Sequence, residues 1–222
     1  MQTFDTPAPV LTVLDLPAAR VEFVAADRAD TAVRVLPGDK TKSRDTQAAQ
    51  DITVQYADGV LRIEAPEAKK RLLGPGGVVT VTVQLPAGSR VRARGADIDV
   101  RSAGRLADVD FEGARATVHL EEVEGARLSL MQGDVVVGRL DGSAEIRTRS
   151  GDITVTEGVR GTVDLRTESG AISVGAAPGV SAALDARTSY GRVHNSLKNA
   201  DATPGLTVRA TTSYGDITAR SL

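Results

Sequence analysis

The stretch "TRSGDITV", Thr148 to Val155, decides how the rest of the chain is read. Close variants follow it: "TESGAISV" from Thr167, "TSYGRVHN" from Thr188 and "TSYGDITA" from Thr212. Their glycines, with an earlier one, form the series Gly133, Gly151, Gly170, Gly191 and Gly215, spaced by 18, 19, 21 and 24 residues. Two positions after each stands a β-branched apolar residue: Val135, Ile153, Ile172, Val193 and Ile217. Five before stand Leu128, Ile146, Leu165, Ala186 and Ala210, and seven before stand Ala126, Ala144, Val163, Leu184 and Val208. Period-two alternation on both sides of a glycine describes two short strands meeting at a corner.

Further turn signals separate the units, in "EGAR", "DGSA", "RGTV", "PGVS" and "TPGL". Two strands and two turns per unit of 18 to 24 residues predict one coil of a parallel β-solenoid. Stacked coils place equivalent residues above one another at about 4.8 Å, which accounts for the agreement column by column. An antiparallel meander or sandwich also makes short strands at such spacings and is the competing reading. Upstream, "GADIDV" (Gly95–Val100) and "GARATVHL" (Gly113–Leu120) read as degenerate coils. Earlier runs such as "RVEFVAA", "GVLRIEA" and "GVVTVTVQLP" read as longer strands, with Asp58 and Gly59 at a hairpin turn. The chain is therefore expected to divide into a strand-rich N-terminal part, 1–92, that caps the open end of the repeats, and the repeats themselves, 93–222. The insert Ser196–Pro204 explains the widest spacing as a surface loop.

Composition narrows the function. Apolar residues make up 41% of the chain, enough for a core, while aromatics at 3% leave Val, Ile, Leu and Ala to fill it. The chain has no cysteine, which removes disulfides, thiolate catalysis and Cys-ligated metals. A net charge of −2 draws the protein neither to nucleic acid nor to anionic lipid in general. The opening residues lack a signal-peptide pattern and no apolar run approaches the length of a membrane span, so a soluble, cytoplasmic protein is expected.

The recurring "SGDITV" phrase, the preceding "VTVTVQLPAGSRV" (Val79–Val91) and the β-rich opening leading to "GVLRIEA" resemble a bacterial family of uncharacterised β-strand-repeat proteins, often labelled adhesins. The resemblance covers nearly the whole chain. It implies a right-handed parallel β-solenoid and, in some members, an association with the cell envelope and its stress responses. It supplies no catalytic or binding residues.

The candidate sites each carry a bland alternative. Asp134, Asp152 and Asp216 follow corner glycines, but Ala171 and Arg192 interrupt the column, so no calcium ladder is expected. His119 and His194 lie several coils apart and read as surface residues. "LLGPGGVV" (Leu72–Val79) lacks the Lys-Ser/Thr of a phosphate-binding loop. Two basic clusters, Lys40, Lys42 and Arg44, and Lys69, Lys70 and Arg71, read as solvated loops or as a patch for an acidic partner or lipid. Outward positions of the repeat carry Glu145, Asp164 and Asp185 in one row and Arg147, Arg166 and Arg187 in the next. These rows read either as a soluble face that discourages aggregation or as a partner surface. Tyr190 and Tyr214 replace the serine before the glycine and are expected to stack, as corner packing or as an interaction site.

The reading is thus a non-catalytic scaffold without metal or cofactor, binding a protein partner or itself. Self-association is expected through an uncapped C-terminal coil, because "GDITARSL" brings the sequence to its end soon after the last strand pattern. The alternatives are a polysaccharide-active β-helix enzyme and a peripheral, adhesin-like binder of the envelope membrane.

Overall fold

The structure, a computed structural model, describes residues 1–66, 77–199 and 203–222. It is all-β apart from one short helix among the described residues. The chain forms two compact units, Met1–Ala116 and Thr117–Leu222. Parallel strand pairing occurs within both units.

The first unit contains β1 (Gln2–Asp5), β2 (Leu11–Asp15), β3 (Ala18–Ala26), β4 (Asp30–Pro37), α1 (Ser43–Asp51), β5 (Thr53–Ala57), β6 (Val60–Glu64), β7 (Val79–Pro86) and β8 (Arg90–Arg115). β2 lies parallel between β6 and the start of β8, and β3 lies parallel between β7 and the continuation of β8. Strands β1, β4 and β5 add antiparallel pairings. Asp58 and Gly59, at φ 51° and 75°, make the β5–β6 hairpin with both central residues left-handed, as a type I′ turn requires. Alternate residues of these strands, among them Phe23, Leu61, Ile63, Val81 and Val83, fill the interior.

The helix α1 is absent from the sequence reading for a physical reason. Its residues, SRDTQAAQD, have no apolar stripe for periodicity to detect. A buried carboxylate anchors it instead: Asp45 accepts N–H bonds from Asp39 and Val78, each at 3.1 Å. Lys42 and Arg44 of the first basic cluster are paired with Asp39 and Asp45. The second cluster, Lys69, Lys70 and Arg71, and most of "LLGPGGVV" lie outside the described residues.

The second unit contains β9 (Val118–Gln132), β10 (Val135–Asp141), β11 (Ala144–Ser150), β12 (Ile153–Ser169), β13 (Ile172–Ala176), β14 (Ala182–Tyr190), β15 (Val193–Ser196), β16 (Leu206–Tyr214) and β17 (Ile217–Ser221). Neighbouring rungs pair parallel and in register, so Val118, Val135, Ile153 and Ile172 follow one another in one column. Leu128, Ile146 and Leu165 form a second column. All are buried, and the antiparallel alternative does not describe this unit.

The order of the rungs departs from the order of the sequence. Strand β16 pairs with β12 on one side and β14 on the other, and β17 pairs with β13 and β15. Residues 206–221 are therefore interior, and β14 with β15 forms the outermost rung. This corrects the expectation of an uncapped C-terminal coil. The connection over residues 197–205 makes it possible. Nine residues reach up to about 30 Å when extended, well beyond the roughly 10 Å of two rung spacings. The first unit uses the same device, since β2 and β3 lie between rungs formed later in the sequence.

Cysteine pairs test this order against a background free of native thiols. Asp164→Cys with Arg209→Cys joins register partners and is expected to form a disulfide on oxidation. Asp164→Cys with Asp185→Cys spans two rungs, about 10 Å, and is expected to stay reduced. Mobility on non-reducing gels distinguishes the two, and the opposite pattern would restore sequential stacking.

Candidate functional site

The repeated phrase is a hydrogen-bonding unit between rungs. Its threonine donates from Oγ1 to the glycine carbonyl of the preceding rung: Thr167 to Gly151 at 3.1 Å, Thr212 to Gly170 at 3.0 Å and Thr188 to Gly215 at 3.0 Å. Its aspartate accepts from the main chain of the following rung. Asp134 takes the N–H of Asp152 at 2.8 Å, Asp152 that of Ala171 at 2.7 Å, and Asp216 that of Arg192 at 2.8 Å. The carboxylates proposed and set aside as calcium ligands are thus engaged by backbone amides. Arg192 occupies this column on the outermost rung, after which no described rung needs an acceptor.

The glycine between them is required by spacing. At Gly151, with φ 144°, a Cβ would lie 2.1 Å from the Gly133 carbonyl oxygen, and at Gly170 the same clash with Gly151 is 2.0 Å. Only a residue without a side chain lets rungs stack this closely.

At the outer end of the unit this corner changes character. Gln132, Ser150 and Ser169 precede Tyr214 and Tyr190 in the column before the glycine. The two tyrosine rings stack with centroids 5.0 Å apart and planes 4° from parallel. Tyr190 remains 68% exposed and Tyr214 60%. The sequence expectation that they stack agrees with this geometry, since the two tyrosines are register partners on neighbouring rungs.

The charge rows are also rearranged by that order. Each acid pairs with the arginine two residues on: Glu145 with Arg147 at 2.5 Å, Asp164 with Arg166 at 3.0 Å and Asp185 with Arg187 at 3.5 Å. Exposed pairs of this kind contribute under about 1 kcal/mol each. The rows are not continuous, however. Arg209 stands in register between Asp164 and Asp185, and Thr211 between Arg166 and Arg187. A cation between two acids relieves the repulsion that an unbroken row would carry. The Asp185–Arg187 pair is thereby set apart on the outermost rung, on the strand that leads to Tyr190.

Sequence reasoning missed the apolar part of this end. Val193 belongs to a column that is fully buried at Val135, Ile153, Ile172 and Ile217, yet it is 45% exposed. Leu184 and Ala186 are likewise half-buried where their register partners Val208 and Ala210 are covered. The signal was present in the nine-residue connection, which is long enough to carry the chain past a rung. His119 and His194 open and close a single outward column, about 24 Å apart, and meet nothing in common.

Such an arrangement defines a protein of stacked parallel β-rungs whose variable chemistry lies on outward columns and on its last rung. Residues 13–221 match the family described as Toastrack DUF4097, and the chain belongs to that family. A candidate adhesin of Bacteroides fragilis has a similar structure, with 14% identity over 98% of this chain and 95% of its own, and a TM-score of 0.58. A candidate adhesin of Parabacteroides distasonis aligns with 100% of this chain and 95% of its own at 11% identity and a TM-score of 0.45. The first of these shares the fold. No curated protein matches the sequence. No helix among the described residues is long and apolar enough to cross a membrane.

Proposed function

We propose that this Toastrack protein is a non-catalytic interaction module, wound as a right-handed β-solenoid, that binds a protein partner at the outer end of its second unit. Handedness follows from the general rule that crossovers between parallel strands are right-handed in about 98% of cases. The observation that carries the interaction role is the Tyr190–Tyr214 stack. Two large aromatic side chains stand in solvent on a backbone held by hydrogen bonds from rung to rung. Tyrosine is enriched at binding hot spots because it offers apolar area and a hydroxyl at low conformational cost. The same outermost rung also carries the Asp185–Arg187 pair and the half-exposed Val193, which add charged and apolar surface. The names given to the similar structures favour a setting at the cell envelope.

The expected result of Tyr190→Ala with Tyr214→Ala is at least a tenfold loss of partner capture, with the melting temperature changed by less than about 2 °C. Affinity capture from a bacterial lysate with quantitative mass spectrometry makes the comparison. An identical set of bound proteins for both forms would sink this reading.

A further inference from the structure

We infer that the outer edge of β14 pairs antiparallel with the same edge of a second copy, closing a two-fold dimer centred on Ala186. This rests on reading the outer end of the second unit as an interaction surface, and it names the occupant of the strand edge there.

The core argues that something covers this rung. Leu184, Ala186 and Val193 continue columns that are sealed on every interior rung, and they are open here for want of a neighbour. Among the described residues no strand pairs with the outer side of β14. Exposed strand edges of this kind are templates for pairing with another chain.

The hydrogen bonds show which residues face outward. Leu206 donates its N–H to the carbonyl of Ser181, so the odd-numbered residues of β14 aim their main-chain groups at β16. Even-numbered residues aim outward, and Ala182 does so, its N–H meeting the carbonyl of Lys198 at 3.0 Å. That carbonyl occupies the start of the edge. Leu184, Ala186 and Thr188 are left to bond a second copy.

Charge then selects direction and register. A parallel, in-register copy would set Asp185 against Asp185 and Arg187 against Arg187, which repel. Antiparallel pairing must match even residues with even residues. Centred on Asp185 or on Arg187, it again opposes like charges. Centred on Ala186, it makes hydrogen-bonded pairs of Leu184 with Thr188 and of Ala186 with itself. Asp185 then faces Arg187 twice, at non-hydrogen-bonded positions where side chains come closest, with Cα atoms about 4.5 Å apart. The result is a closed two-fold pair rather than a growing fibre.

Sedimentation velocity over a concentration series tests this on the full chain. The wild type is expected to show a monomer–dimer equilibrium without larger species. Asp185→Arg alone and Arg187→Asp alone are each expected to weaken dimerisation roughly tenfold to a hundredfold. An equimolar mixture of the two single variants is expected to dimerise again, since each then faces its complement. The double variant Asp185→Arg/Arg187→Asp is expected to recover as well. Reversing the Arg94–Glu112 pair of the other unit should leave the equilibrium unchanged. A wild type that stays monomeric at several hundred micromolar, or that polymerises without limit, overturns the inference. So do single variants that dimerise normally or a mixture that does not. Tyrosine-dependent capture that persists in a strictly monomeric protein would overturn the dimer alone, whereas an intact dimer without such capture would overturn the proposed function alone.

Discussion

Replacing Gly151 by alanine is expected to lower the unfolding free energy by roughly 3–5 kcal/mol, two contributions adding. The first is conformational: φ at this position is 144°, a region that side-chain-bearing residues avoid at a cost of about 1–3 kcal/mol. The second is crowding, because the new Cβ would lie 2.1 Å from a backbone oxygen and 2.5 Å from its carbon. Backbone in a paired rung cannot step aside as a flexible side chain would. Relief requires the Gly133 and Gly151 corners to move apart, which lengthens the Gly133–Ser150 and Val135–Asp152 bonds, now 2.8 and 2.9 Å. Gly59→Ala separates the two contributions. It shares a positive φ, 75°, but its Cβ would meet nothing within 4 Å, so only the conformational part, about 1 kcal/mol, should appear. Urea unfolding followed by far-ultraviolet circular dichroism gives both values. Equal losses at the two glycines would show that close stacking contributes nothing.

The second large effect is expected at Leu165→Ala, about 3–5 kcal/mol. Leu165 is fully buried in the middle of its column, with Ile146 on one side and Ala210 on the other. The cavity left by its side chain opens beside a residue that is already small. Ala210 and Ala186 continue the column, so no long side chain on the outer side can swing in to fill the space. Collapse of the rung spacing is blocked by the backbone ladder, and the loss should therefore fall in the upper part of the range for such truncations. Leu165→Met, which preserves volume, is expected to cost under about 1.5 kcal/mol. A Leu165→Ala loss no larger than that of the methionine variant would mean that the interior repacks freely.

Much of this architecture is legible in the sequence because β-rungs repeat their chemistry in columns. Ile153, Ile172 and Ile217 are recognisable as equivalent from their place after the corner glycines, and the structure places them in register. The glycine corner and the tyrosine stack are legible for the same reason. The order of the rungs is not, since equivalent columns look alike whichever rung lies next. Its traces are individual substitutions: Arg209 where the three preceding units carry Glu145, Asp164 and Asp185, Arg192 where the others carry Asp or Ala, and a long connection before Leu206. Each reads as drift until the neighbours are known. The role of the corner aspartates is hidden in the sequence, because a residue that varies along a column can still bond the next rung wherever it occurs. The helix α1 was invisible because a single buried carboxylate, rather than a hydrophobic stripe, holds it.

The interleaved rungs also bear on the order in which the molecule can assemble. Residues 182–196 are synthesised before 206–221, yet every ladder bond they make to a neighbouring strand runs to that later segment. While about 25 further residues emerge, at about 5–20 per second, their final neighbour does not yet exist. For a second or more, Leu184, Val193 and the rung-free side of β12 are simultaneously unsatisfied. A helper that shields nascent apolar strands would have its greatest effect in that interval. Once residues 206–221 slot into place they close two interfaces in one step, so the final stage of folding should be abrupt and highly cooperative.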